Sequence, residues 1–370
     1  MGEVRRGPGA VGQGGGLNKI NMQRIKSFDL ARGFTVLMIA PIHTMLVYSR
    51  LETRDTCLGY FLAFIAEGPG AQLFMLLMGV YVAFSKPKPF DMVFLRSFVL
   101  LVAGYALNIL KFALPMKMGW LPDSLLPDLQ AGDNPYGYAQ VIFMGDILAF
   151  AAIALLILYF VKQHRKYHEL AVWLAIFVAL GSPFFWDLRY GYPVVDYLLQ
   201  LLGGHPPVVF FPLFPWLVYP LVGLTIGYWL QNNPRGFNYF NRIGITGAAL
   251  LLTGYCMREF ITHDPSPSFY RTNPADTLIH IGIVLVWLWI WERQSNHYKP
   301  NLFFKSLSWA SKNITLIYFI QWILILWMTP FFGYQNLDMP GTLIAIAFTS
   351  GWTMVITYFI NHYQKKYANK

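Results

Sequence analysis

Five residues could do chemistry by type and position: His43, Asp29, Arg32, Glu67 and Asp146. His43 follows Arg32 by eleven residues in an apolar run, so a helix would carry it about 16 Å further along its axis, to mid-bilayer depth. An imidazole with an ordinary pKa of about 6.5 suits a general base near working pH. Ionisable groups are expensive in hydrocarbon, which makes each one there a functional candidate. A histidine satisfied by a neighbouring helix is the plain alternative, and the residues alone leave both readings open. Pro41, two positions earlier, predicts a kink that frees carbonyls at the same depth. Asp29 and Arg32 share one helical face at i, i+3, as an anchoring ion pair or as the inner end of a cavity. Glu67 opens Glu67-Gly68-Pro69-Gly70, which predicts a break with free amides at Ala71 and Gln72 facing a negative charge; a simple turn is the alternative. Asp146 is expected in the outer half of its helix, paired with Arg or His or facing the same cavity. Cys57 and Cys256 leave a disulfide open, and no cysteine spacing suggests a zinc site, so no metal is expected.

The elements that must hold these groups are membrane helices. Only 12% of the 370 residues are charged and 56% are hydrophobic, with 30 Phe, 22 Tyr and 12 Trp. A soluble core cannot absorb that much apolar surface, whereas a bilayer and its interfaces can. Apolar stretches predict an all-α, polytopic protein of about ten spans: 33–50, 60–84, 94–112, 139–161, 170–186, 209–230, 243–260, 276–291, 313–330 and 341–361. Residues 1–21, rich in Gly, read as a disordered leader or an upstream start without structural meaning. Residues 22–370 read as one transmembrane domain. The loop 113–138, with Asp123, Asp128 and Asp133 among four prolines, reads as a flap or cap.

An even count places both termini on one side. With them in the cytoplasm, inner loops hold 21 Lys and Arg against 7 outside, or 18 to 7 without Arg5, Arg6 and Lys19. The positive-inside rule therefore selects N-in, C-in. The same loops account for the net charge of +10, with anionic lipid headgroups as partners and no role for nucleic acid. A plasma (inner) membrane location is expected, and a homodimer is left open.

Several blocks carry a resemblance. Arg24 to Gly33 with the run to His43, Ala71 to Gly79, Gly145-Asp146-Ile147-Leu148, and Phe211-Pro212-Leu213-Phe214-Pro215-Trp216-Leu217 with Gly223 occur in order. Together with Asn313 to Tyr318 they resemble the heparan-alpha-glucosaminide N-acetyltransferase-like transmembrane acyltransferases. That resemblance implies transfer of an acyl group, acetyl first, from cytoplasmic acyl-CoA (acetyl-CoA) as co-substrate. The acceptor would be a hydroxyl or amine of an envelope sugar or another small molecule. His43 stands where the family carries a catalytic-region Asn or His. The loop Arg50 to Tyr60 lacks the family's His-x-x-Trp-Asn-Gly segment. In this reading His43 is the base, with Asp29, Arg32, Glu67 and Asp146 around the reaction. Arg32, Arg96, Arg235 and Arg242 would attract coenzyme A phosphates, although the positive-inside rule alone also calls for them. Two rivals are a proton-coupled transporter or flippase with His43, Glu67 and Asp146 as a relay, and a sensor or scaffold whose polar groups lock helices together.

Overall fold

The computed structural model describes residues 25–131, 135–232, 237–260, 269–296 and 301–368, so the leader and Arg235 lie outside the described residues. The described chain is helical, with two isolated bridges, Ser49 to Leu337 and Gly145 to Val209, and no named strand. A chain this apolar satisfies its backbone locally, and helices do so within each segment. The main helices are α1 (Lys26–Tyr48), α2 (Cys57–Glu67), α3 (Ala71–Phe84), α4 (Phe90–Asn108), α5 (Ile147–Gln163) and α6 (Tyr167–Gly181). They continue with α7 (Val218–Asn232), α8 (Phe237–Arg258), α9 (Pro274–Asn296), α10 (Leu302–Lys312), α11 (Ile314–Trp327) and α12 (Met339–Ala368).

Seven helices among the described residues are long and apolar enough to cross a membrane, or eight if α10 and α11, bent by 84°, form one span. Two of the ten expected segments fall short of that test. At 17 residues α5 is brief, and α8 interrupts its apolar run with Asn, Arg, Gly and Thr. Pro41 lies inside a helix assigned without interruption from Lys26 to Tyr48. The Gly68-Pro69-Gly70 break does separate α2 from α3, yet the two remain one candidate span, Cys57–Phe84. Cys57 and Cys256 are free and exposed.

Helix α1 is the hub and packs against α9, α10, α11 and α12. Its Gly33 lets the Leu307 backbone of α10 approach so closely that a Cβ would lie 2.0 Å from the Leu307 carbonyl oxygen. The crossing of α3 and α7 is as tight. A Cβ on Gly79 would stand 1.9 Å from the Pro220 oxygen, and one on Gly223 1.9 Å from the Leu76 oxygen. The obstacles are backbone, so side-chain repacking cannot relieve them. Gly223→Val is expected to destabilise the protein by about 1–3 kcal/mol or more. Gly351→Ala, where a Cβ meets nothing within 4 Å, should be neutral. Monodisperse yield and thermal unfolding in detergent check both.

At the end of the bundle opposite Arg32, residues 113–131 of the expected flap or cap pack against the helices, while Asp133 lies outside the described residues. Leu121, Leu125, Leu129 and Ala131 are buried with Tyr48, Phe112, Ile325 and Leu326 in a separate apolar cluster. Tyr334 donates to Asp128 Oδ2 at 2.5 Å, tying this cap to the turn before α12. Residues 335–337 hydrogen-bond to Val47 and Tyr48.

Candidate active site

His43 faces α11. Gln321, fully buried there, donates from Nε2 to the Tyr318 carbonyl at 3.3 Å, which turns its Oε1 toward His43 Nδ1 at 3.1 Å. An amide oxygen only accepts, so Nδ1 carries the proton and Nε2 keeps its lone pair. Nε2 makes no hydrogen bond among the described residues. The imidazole stacks on Trp322, with ring centroids 4.1 Å apart and planes 25° from parallel. Tyr318, Gln321 and Trp322, at i, i+3 and i+4, share one face of α11.

The same face reaches a buried ion pair. Lys111 Nζ lies 2.6 Å from Asp146 Oδ2, and the two side chains are 4% and 9% exposed. Asp146 Oδ1 accepts from the Ile147 amide at 2.6 Å, capping α5, and from the Tyr318 hydroxyl at 2.9 Å. Three donors and a helix N-terminus thus hold one carboxylate. The Lys111 ammonium also lies 4.9 Å from the Trp322 ring centre and 5.0 Å from that of Phe112. One indole therefore contacts both the imidazole and the ammonium.

Local backbone features hold this pair in place. Lys111 sits in a π-helical turn, Ile109–Ala113, and such turns are frequent at functional sites. Asn108, one turn earlier and fully buried, donates to the carbonyls of Ile142 and Met144 at 3.0 and 2.9 Å. Gly145 exchanges hydrogen bonds with Val208 and Phe210, so the segment leading into Phe211-Pro212 clamps the residue before Asp146. The ring of Tyr270 packs edge-on to Phe210 and Phe211, close enough for its hydroxyl to feel the charges of Asp146 and Glu67.

The expected residues divide into three groups. His43 and Asp146 come together on one face of α11, His43 against Gln321 and Trp322 and Asp146 against Tyr318. Asp29 and Arg32 pair at 3.1 Å, but near the opposite end of α1. There Arg32 Nε also donates to Ser311 at 2.9 Å and its guanidinium lies over Tyr81. The remaining three lack a buried setting. Glu67 is exposed, its carbonyl accepting from Gln72, and Arg96 and Arg242 are exposed near the starts of α4 and α8. The partner of Asp146 is neither Arg nor His but Lys111, which the topology count places among the outer-loop cations. Its signal was available: Lys111 interrupts an apolar run of the kind in which an ionisable group is costly. Gln321 and Trp322 gave no comparable signal, because their roles appear only when α11 meets α1.

A family model described as heparan-alpha-glucosaminide N-acetyltransferase, catalytic, matches residues 24–265. No curated protein and no solved structure matches the chain. The matched stretch contains His43, Lys111 and Asp146, while Tyr318, Gln321 and Trp322 come from the chain beyond it. With more than half of the sequence matched, a polytopic helical fold and buried polar groups inside the matched segment, the chain belongs to the heparan-alpha-glucosaminide N-acetyltransferase catalytic-domain family.

Proposed function

We propose that the protein moves an acetyl group from cytoplasmic acetyl-CoA to a hydroxyl or amine of a sugar or other small acceptor, with His43 as the general base. The observation that carries this reading is the His43–Gln321 contact: with Gln321 Oε1 3.1 Å from Nδ1 to accept its hydrogen bond, Nε2 is left without one among the described residues, near a buried charged pair. A thioester is already reactive. The site has to orient the acceptor, remove its proton and steady the tetrahedral intermediate. We place ten spans in a plasma (inner) membrane with both termini cytoplasmic, on the 18 to 7 cation split. In that orientation Arg96 and Arg242, with Arg32, supply cations for coenzyme A phosphates, the sequence adds Arg235 to the same side, and Asp29 and Arg32 close that end of the bundle.

The experiment is thiol release in sealed inside-out vesicles, with mass analysis of the acceptor pool. Acetyl-CoA offered to the cytoplasmic face should yield free thiol and an acceptor heavier by one acetyl group. No thiol and no acetylated product, from protein shown to be folded, would overturn the assignment and favour the transporter or scaffold. These cations have their own test. Charge reversal at Arg96 or Arg242 is expected to raise the donor KM several-fold more than the acceptor KM, as loss of ground-state binding should. Equal effects on both substrates would remove these arginines from the donor site.

A further inference from the structure

We propose that Lys111 is the electrophilic group of the site, donating a hydrogen bond to the acyl carbonyl oxygen as it becomes an oxyanion; this rests on the acetyl-transfer reading above. An ammonium has three N–H donors. Lys111 spends one on Asp146 at 2.6 Å and makes no other hydrogen bond among the described residues, although its side chain is 4% exposed. Its other neighbours are the faces of Phe112 and Trp322, which attract a cation but accept weakly. Two donors of a buried cation thus remain for a ligand oxygen.

Structural economy does not account for the pair. Buried ion pairs are often no more stabilising than apolar residues of the same volume, so a lysine at this depth invites a functional explanation. Its placement supplies one. Ammonium and imidazole both contact the Trp322 ring, and in this assignment the acyl carbon is set beside that indole, its oxygen toward Lys111 and the attacking atom toward His43 Nε2. Asp146 aims the ammonium, and Tyr318 together with the Ile147 amide fixes Asp146.

The electron count closes without a further reagent. The acceptor oxygen or nitrogen attacks the thioester carbon and gives its proton to His43 Nε2, while the carbonyl π pair moves onto oxygen beside Lys111. The C–O double bond then re-forms, the C–S bond breaks, and the leaving sulfur takes the proton held by His43. Lys111 keeps its own proton throughout.

The test uses the full chain in detergent or vesicles and the variant Lys111→Met/Asp146→Asn, which removes both charges and leaves an Asn able to cap α5. Folded yield, thermal transition and coenzyme A affinity should stay near wild type while kcat falls about 10²- to 10³-fold, the usual worth of an oxyanion donor. Turnover above a third of wild type would overturn the assignment. So would a loss of coenzyme A affinity in proportion to kcat, since Lys111 would then hold the ground state. If the double variant does not fold, Lys111→Gln, which still offers Asp146 a neutral donor, is measured per folded molecule against the same limits. His43→Ala run alongside separates the failures. Wild type and His43→Ala differing as expected, with the Lys111 variant fully active, sinks only Lys111. A wild type that transfers no acetyl group sinks both.

Discussion

Purified His43→Ala is expected to fold, to bind coenzyme A as wild type does, and to lose about 10²- to 10⁴-fold in kcat, the usual worth of general-base catalysis. The side chain is only part-buried and makes one side-chain hydrogen bond, to Gln321, so its removal leaves Gln321 Oε1 as the unpaired group. An unsatisfied acceptor of that kind costs about 1–3 kcal/mol, which a polytopic bundle can absorb. A structural histidine forecasts the reverse order: stability lost first, with activity following the folded fraction. Specific activity per folded molecule divides the two readings. A base should also impose an acidic limb on kcat/KM that the variant lacks. Retention of more than a third of wild-type turnover in monodisperse protein would end the catalytic assignment.

How much of this was legible in the sequence depended on range. The all-helical, multi-span character follows from composition, since hydrophobic length is a local property. His43 and Asp146 stood out because a charged or titratable group in an apolar run is locally anomalous. The same logic covers Lys111, which was masked by its neighbours: Lys117, Pro115 and the polar cap make the run look finished, whereas the π-helical turn carries the buried face past Asn108. Depth along a helix was the unreliable quantity. Glu67 lies next to a genuine helix break, yet it is exposed, because a break fixes where the helix ends and not how far the neighbouring side chain is covered. The contributions of α11 were beyond local reading altogether. Trp322 and Gln321 are ordinary residues of an apolar helix until tertiary packing sets them against His43, 278 positions away in the case of Gln321. Asp29 and Arg32 show the converse: their pairing was readable from i, i+3 spacing, but the 3.1 Å contact sits with Ser311, near the other end of α1 from His43.

The stability of the site should respond to charge balance more than to any single side chain. Asp146→Asn keeps the volume, keeps a good helix cap and can still accept from Tyr318, so what it removes is the charge and the Oδ2 acceptor opposite Lys111. Breaking a buried pair by neutralising one partner typically costs about 3–5 kcal/mol, because the remaining charge has lost both its solvent and its counterion. Replacing both partners is often neutral. The expected order in thermal unfolding of detergent-solubilised protein is therefore wild type and Lys111→Met/Asp146→Asn close together, with Asp146→Asn well below either. That order would be unexpected if Asp146 served the fold mainly as the α5 cap, since Asn caps as well as Asp and the single variant would match wild type. A double variant less stable than the single one would show that Lys111 finds an adequate partner without Asp146. The coupling between the two residues, taken from the double-mutant cycle, should exceed the 0.5–3 kcal/mol usual for contacting residues, because the cost of about 3–5 kcal/mol in the single variant disappears in the double one. Because the cycle reads folding alone, it stands whether or not the protein transfers an acetyl group.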